Sequence, residues 1–208
     1  MKTKQTDARI KSAANKTACL ALFGGSFDPV HNGHLKIACC ALEQVEVDRV
    51  IFVPASQAPL KQKPFAKDAD RLQMLRLALQ DEANFELSTF EIDQNKITFT
   101  IDTVDHFKEL YGSTKLFWII GQDQFDSLDK WHRIDELVKK VVFLVYPRLE
   151  SDRISKKSIE GLQYQILKAE VIPVSSTKVR KCCKEGLSLF NLVPDSVEAF
   201  IHEKGLYK

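Results

Sequence analysis

A doubly wound α/β fold, in which a parallel sheet carries helices on both faces, is the architecture this sequence predicts. Three observations carry the prediction. Short runs such as Arg49-Val-Ile-Phe-Val53 and Val141-Val-Phe-Leu-Val-Tyr146 are apolar almost throughout, the mark of strands buried on both faces of a parallel sheet. Segments with apolar residues at helical spacing lie between them. Glycine or proline stops most of the runs, at Gly24, Pro54, Gly121 and Pro147, as expected where a strand turns into a loop.

The elements follow in order. Ala18 to Phe23 predicts a buried strand running into Gly24-Gly25. Leu35, Ala38, Leu42 and Val45 share one face of a helix over 35–45. Arg49 to Val53 is the second strand, and the proline-bearing stretch from Ala55 to Phe65 is a loop. Asp70 to Leu79 is an amphipathic helix, and Phe85 to Ile92 alternates as a strand or strand pair. Thr100 to Tyr111 is a helix with Gly112 just past its end. Lys115 to Ile120 and Val141 to Tyr146 are further buried strands, Ala169 to Val174 is the last, and helices start at Ser175 and Pro194. In a fold of this class ligands bind at the carboxyl ends of the strands, near the switch in strand order.

Composition bounds the function. The chain has 208 residues, 44% hydrophobic and 28% charged, with a formal net charge of +2. Those are globular values, and the near balance of charge excludes a broad basic face for nucleic acid. No apolar run reaches the ~20 residues of a membrane span. Residues 1–17 hold Lys2, Lys4, Arg9, Lys11 and Lys16 against Asp7 alone, which leaves the rest of the chain at −2. Such a leader, poor in large apolar residues, is expected as a flexible tail ahead of a domain over 18–208. A transit peptide fits less well, because no Arg-rich amphipathic pattern is present. The cysteines Cys19, Cys39, Cys40, Cys182 and Cys183 are odd in number and have no C-x-x-C spacing, as in a reduced, cytoplasmic protein.

Two segments suit phosphate chemistry. Gly24-Gly25-Ser26-Phe27-Asp28-Pro29-Val30-His31-Asn32-Gly33-His34 lies between a strand and a helix. Its glycines let the backbone approach an anion, and the helix start that follows offers N–H groups and a positive dipole end. His31 and His34, three apart, project to one side. A zinc reading lacks a third ligand nearby. In Val174-Ser-Ser-Thr-Lys-Val-Arg180, Ser175 or Ser176 caps a helix, and Arg180 lies about one turn on, within reach of the same anion.

The first segment resembles the G-x-F-D-P-x-H-x-G-H signature of the nucleotidyltransferase superfamily, and the second is similar to its I-S-S-T-x-x-R motif. Ile119-Ile-Gly-Gln-Asp123 with downstream Trp131 resembles the nicotinate (nicotinamide) mononucleotide adenylyltransferase family in particular. Arg71 with Met74, Thr98-Phe99-Thr100 and the terminal Gly205-Leu206-Tyr207 agree with it.

The resemblance implies a Rossmann-like fold and transfer of AMP from ATP to nicotinate mononucleotide, giving deamido-NAD and pyrophosphate. It implies that Gly24, Gly25, Ser26, Phe27, His31 and His34 hold ATP phosphates, with His34, Arg180 and His31 carrying catalysis. Gly121 and Asp123 would meet ribose hydroxyls, and Ser175, Ser176, Thr177 and Arg180 would complete the ATP pocket. Trp131 would stack on the pyridine ring. Thr100 and the backbone near His132 would receive the nicotinate carboxylate, and Lys61 the acceptor phosphate. Mg²⁺ would ride on the ATP oxygens without protein metal ligands.

Two departures stand out: Leu60, where the family's P-P-H-K/R stretch has histidine, and His132, where a tyrosine is usual. Nicotinamide mononucleotide or 4′-phosphopantetheine as acceptor, and a non-catalytic nucleotide-binding regulator, are the alternatives. No nucleic-acid or membrane partner is expected, and a homo-oligomer is compatible with the sequence.

Overall fold

Side chains alternate along each strand, so one apolar run must serve two cores at once. In the computed structural model, which describes residues 19–56, 64–94, 96–147, 157–168 and 173–208, they do so. Strand β1 (Leu20–Gly25) sends Ala21 and Phe23 to one core and Leu20 and Leu22 to the other. It pairs in parallel with β2 (Arg49–Pro54) and β4 (Leu116–Gly121). Strands β3 (Phe85–Leu87), β5 (Val141–Tyr146) and β6 (Tyr164–Ile166) complete the sheet. Among the described residues the sheet has six strands in the order β3-β2-β1-β4-β5-β6. Strand order reverses between β1 and β4, and the switch point lies where β1 ends in Gly24-Gly25 and β4 in Gly121.

The first face is covered by α1 (Asn32–Gln44), α2 (Asp68–Leu79), α7 (Ser176–Glu185) and α8 (Asp195–Lys204). They contribute Ala38, Ala41, Met74, Leu75, Val179, Val197 and Ile201 to its core. The second face is covered by α4 (Thr100–Tyr111) and the short helices α5 (Gln122–Asp126) and α6 (Ile134–Leu137). Ile101, Val104, Phe107, Phe125 and Leu137 point into that core. Each fully buried aliphatic or phenyl side chain contributes ~1.5–3 kcal/mol.

The expected order of strands and helices holds, with instructive differences. The expected strand over Phe85 to Ile92 stops at Leu87, and Phe90–Asp93 forms the short helix α3. Polar side chains end the ladder there. Ser88 Oγ accepts from the Phe90 amide at 3.2 Å, and Thr89 Oγ1 donates to Asp93 Oδ2 at 2.6 Å. These local bonds compete with strand pairing. Among the described residues the sixth strand is Tyr164–Ile166, and the strand expected over Ala169 to Val174 falls mostly outside them. Residues 169–172 lie outside the described residues, and Pro173-Val174 is not strand. Helix α1 starts at Asn32, ahead of its first large apolar residue, because His31 already takes the extended N-cap conformation. The 1–17 leader, Lys61 with Leu60, and most of the Glu150 to Glu160 stretch also lie outside the described residues. Among the described residues no helix is long and apolar enough to cross a membrane.

Candidate active site

The loop after β1 is a crest at the carboxyl edge of the sheet, with different chemistry on each flank. A Cβ on Gly24 would lie 2.6 Å from Trp118 Cζ2, and one on Gly25 would lie 3.0 Å from the Phe27 ring. Both glycines are there for close approach. The crest is held from behind by Arg71, which is 0% exposed. Its guanidinium donates to Ser26 O at 2.5 Å, Ala55 O at 2.7 Å and Asp68 Oδ1 at 2.7 Å. A positive charge thus lies beneath the loop expected to meet phosphate.

The first flank brings the two motifs together. The His31 and His34 rings stack with centroids 3.6 Å apart. His34 Nδ1 accepts from the His31 amide at 3.2 Å, so in the neutral ring the hydrogen is on Nε2. The Phe27 ring meets His34 edge-on at 5.0 Å. Phe27 itself is 2% exposed, so its part in any ligand contact falls to its backbone. Burial pushes the His31 pKa down to about 4, which makes this ring neutral at pH 7. It can orient or donate a hydrogen bond, but it does not bring charge.

Gly33 lets the second motif approach. A Cβ there would lie 2.9 Å from Val174 Cγ1 and 3.1 Å from His31 Nδ1. At the start of α7, Ser175 Oγ accepts from the Lys178 amide at 3.1 Å and caps the helix. Ser176 Oγ donates to Pro29 O at 2.8 Å, which ties α7 to the loop after β1. The Ser176 and Thr177 amides have no acceptor within the helix, so this end suits an anion. Arg180 donates to Asp28 O at 2.7 Å and to Thr177 Oγ1 at 3.3 Å, and lies over the Phe65 ring at 4.5 Å. Two of its five N–H donors are used in these bonds.

The second flank is a cavity of about 360 Å³. Of the residues expected at the site, Gly24, Gly25, Ser26, Thr100, Trp131 and His132 line it. The N-terminus of α4 opens onto it through Thr98, Phe99 and Thr100. Trp131 is half-buried and packs edge-on to Phe143 at 6.3 Å while lining the cavity. His132 packs on Phe99 with centroids 4.3 Å apart. Gly121 and Asp123 are not on the cavity wall but at the end of β4. A Cβ on Gly121 would lie 2.7 Å from Asp123 Oδ1, so glycine there lets the carboxylate fold back over the strand end.

Sequence reasoning missed five of the lining residues: Ala55, Glu91, Trp118, Gln124 and Lys130. Glu91 matters most. It is 7% exposed and accepts from Thr103 Oγ1 at 2.6 Å. Burial pushes its carboxyl up to about 7, against the opposing hydrogen bond from Thr103. The only sequence signal was its place in an alternating run. Among the described residues no group of three His, Cys, Asp or Glu side chains could hold a metal ion.

Residues 22–182 match the cytidylyltransferase-like family model. A probable nicotinate-nucleotide adenylyltransferase of Methylacidiphilum infernorum is 39% identical over 189 residues, covering 90% of this chain and 91% of the relative. One of Caldicellulosiruptor saccharolyticus is 37% identical over 195 residues, covering 91% and 98%. The solved structure of Plasmodium falciparum nicotinic acid mononucleotide adenylyltransferase complexed with NaAD aligns with a TM-score of 0.76 and 18% identity, over 91% of this chain and 97% of that one. At that identity the likeness is one of fold.

Proposed function

The chain belongs to the cytidylyltransferase-like family and, by its relatives, to the nicotinate-nucleotide adenylyltransferases, and from that premise we propose how its two flanks divide the work. The enzyme transfers AMP from ATP to nicotinate mononucleotide, giving deamido-NAD and pyrophosphate in NAD biosynthesis. The observation that carries the division is the crest Gly24–Ser26. It has a stacked histidine pair and a helix N-terminus on one side, and an aromatic cavity on the other.

A phosphate oxygen of the mononucleotide attacks the ATP α-phosphorus in line. A new P–O bond forms as the bond to pyrophosphate breaks, and the leaving group takes the electron pair. The attacking oxygen is already anionic, so no general base is required. Catalysis rests on positioning and on stabilising negative charge as it moves. His34 Nε2, Arg180 and the Ser176 and Thr177 amides are the donors we assign to that charge. Neutral His31 orients the triphosphate, together with the backbone from Gly24 to Phe27. Asp123 accepts from ribose hydroxyls beside Gly121, and Ser175 fixes the start of α7. Mg²⁺ carried on ATP would supply further charge neutralisation.

On the other flank, Trp131 stacks on the pyridine ring. The dipole at the N-terminus of α4, with Thr100 and the backbone at His132, receives the nicotinate carboxylate. Lys61 is the group we assign to the acceptor phosphate. The described cysteines are all unpaired, which suits a reducing cytoplasm, and no nucleic-acid or membrane partner enters this scheme.

Pyrophosphate release with ATP and each of three acceptors tests the reading. Nicotinate mononucleotide is expected to be the preferred acceptor. Equal or faster turnover with nicotinamide mononucleotide or 4′-phosphopantetheine would overturn the carboxylate assignment at α4.

A further inference from the structure

Asp28 is a buried residue on which four parts of the chain converge. It is 4% exposed. Its carboxylate accepts from the Phe65 amide at 2.6 Å and the Ala66 amide at 3.1 Å. The third donor is Tyr207 Oη at 2.8 Å, across 179 residues of sequence. The main-chain carbonyl of the same residue holds Arg180 Nη1 at 2.7 Å. A carboxylate with three donors, one from a side chain and two from backbone, has little freedom to rotate, and hydrogen bonds to such a group are the strong ones.

The route by which Tyr207 reaches Asp28 is specified by the turn after α8. Gly205 ends the helix at φ 60°, and its amide and that of Leu206 bond back to His202 O and Ile201 O. Tyr207 then takes φ 64°, a region few non-glycine residues occupy. Strain of that kind persists where the surroundings over-determine it. Here Leu206 and Tyr207 pack against the first core. Burial and the neighbouring Asp28 carboxylate both raise the phenol pKa, which keeps the hydroxyl protonated as a donor.

We propose that Tyr207 is a positioning residue for adenylyl transfer: by donating to Asp28 it holds the carbonyl that anchors Arg180, so that the remaining guanidinium donors face the ATP phosphates. This rests on the assignment of Arg180 made above. Asp28 is the hinge pin of the arrangement. It joins the loop after β1, the segment at Phe65-Ala66, the turn after α8 and the arginine of α7. Tyr207 touches no substrate, and its effect passes through Arg180 alone.

The test is a double-mutant cycle on the full chain, with wild type, Tyr207→Phe, Arg180→Ala and the double variant. Both substrates are varied, and the melting temperature is measured alongside. Tyr207→Phe keeps the ring in the core and removes only the donor. It is expected to lower kcat about tenfold, the scale of a misplaced charge contact, with KM for the mononucleotide within about twofold. In the Arg180→Ala background the same change is expected to alter kcat less than about twofold.

The same factor in both backgrounds, or an unchanged kcat in Tyr207→Phe, overturns the proposal alone. An Arg180→Ala enzyme with wild-type kcat overturns the Arg180 assignment and this proposal with it. Asp28→Asn, which weakens the same bond from the other side, is expected to reproduce the Tyr207→Phe loss and its dependence on Arg180. Should Tyr207→Phe fail to fold, this second cycle decides in its place, and additivity there overturns the proposal.

Discussion

The two flanks of the Gly24–Ser26 crest are built by different means. On the phosphate flank the working groups come from two short contiguous motifs. They are locked by two hydrogen bonds between those motifs, Ser176 to Pro29 O and Arg180 to Asp28 O, and by one within the first, from the His31 amide to His34 Nδ1. On the flank assigned to the acceptor the wall is assembled from the end of β1, Ala55 after β2, Trp118 within β4, Glu91 of α3, the start of α4, Gln124 of α5 and the segment around Trp131. Its residues come from short stretches far apart in sequence, Gly24–Ser26, Thr98–Thr100 and Lys130–His132, with single residues between them. In the proposed scheme the difference separates two tasks. Charge stabilisation needs donors fixed to fractions of an ångström, which short hydrogen-bonded loops provide. Recognition of a flat aromatic acid needs a shaped, partly dry surface, which core packing provides.

The separation is broken most severely by His34→Ala. It is expected to lower kcat by about 10²-fold, the scale for losing one oriented donor, and to leave KM for the mononucleotide nearly unchanged. Steady-state pyrophosphate release reads both. An unchanged kcat would remove His34 from the charge-stabilising group.

Trp131→Ala attacks the other flank. Loss of a stacked ring, ~1–3 kcal/mol, should raise KM for the mononucleotide about 20-fold and KM for ATP far less. Equal rises in both would make Trp131 a core residue and no more.

Gly33→Ala is a smaller perturbation confined to the phosphate flank. Its added methyl meets Val174 Cγ1 at 2.9 Å and His31 Nδ1 at 3.1 Å, so α1 and the start of α7 must separate by a few tenths of an ångström. A loss of about fivefold in kcat/KM for ATP is expected, with the acceptor KM unmoved. An effect on the acceptor KM instead would show the flanks to be mechanically coupled.

Glu91→Gln gives the smallest effect and the one that depends on pH. With its carboxyl pushed up to about 7 by burial, native Glu91 is mostly protonated below that pH and ionised above it. An ionised Glu91 repels the nicotinate carboxylate, so the wild-type KM for the mononucleotide should rise about threefold from pH 6 to pH 8.5. The variant should stay flat.

The stability sign follows from the same shift. Between the ordinary value of 4.5 and about 7 the native state keeps a proton that the unfolded chain has released. Wild-type stability therefore declines as pH rises through that window. Glu91→Gln should remove the decline, as read by melting temperatures at pH 5 and pH 8.

How much was legible in the sequence follows the same divide. Buried parallel strands are written as unbroken apolar runs, so β1, β2, β4 and β5 could be placed to within a residue or two. The flank assigned to phosphate could be placed because its glycines, histidines and capping serine stand in two contiguous runs, which the structure brings together. Short polar side chains undid the reading at Ser88-Thr89, where local hydrogen bonds override an alternating pattern. Glu91, Trp118, Gln124 and Lys130 reach the cavity only through tertiary packing, and no spacing announces that. The bond from Tyr207 to Asp28 is the extreme case, because the two residues share nothing in sequence and meet only when α8 closes on the first face.

Independence of the two flanks is tested most directly by the double variant His34→Ala/Trp131→Ala. The measured quantity is kcat/KM for nicotinate mononucleotide at saturating ATP, in wild type, both single variants and the double variant. Sites that share no partner should contribute free energies that add to within ~0.4 kcal/mol. The double variant is therefore expected to fall by the product of the two single factors, within about twofold. A double variant about tenfold or more faster than that product would mean that the flanks act as one unit, and would contradict the account.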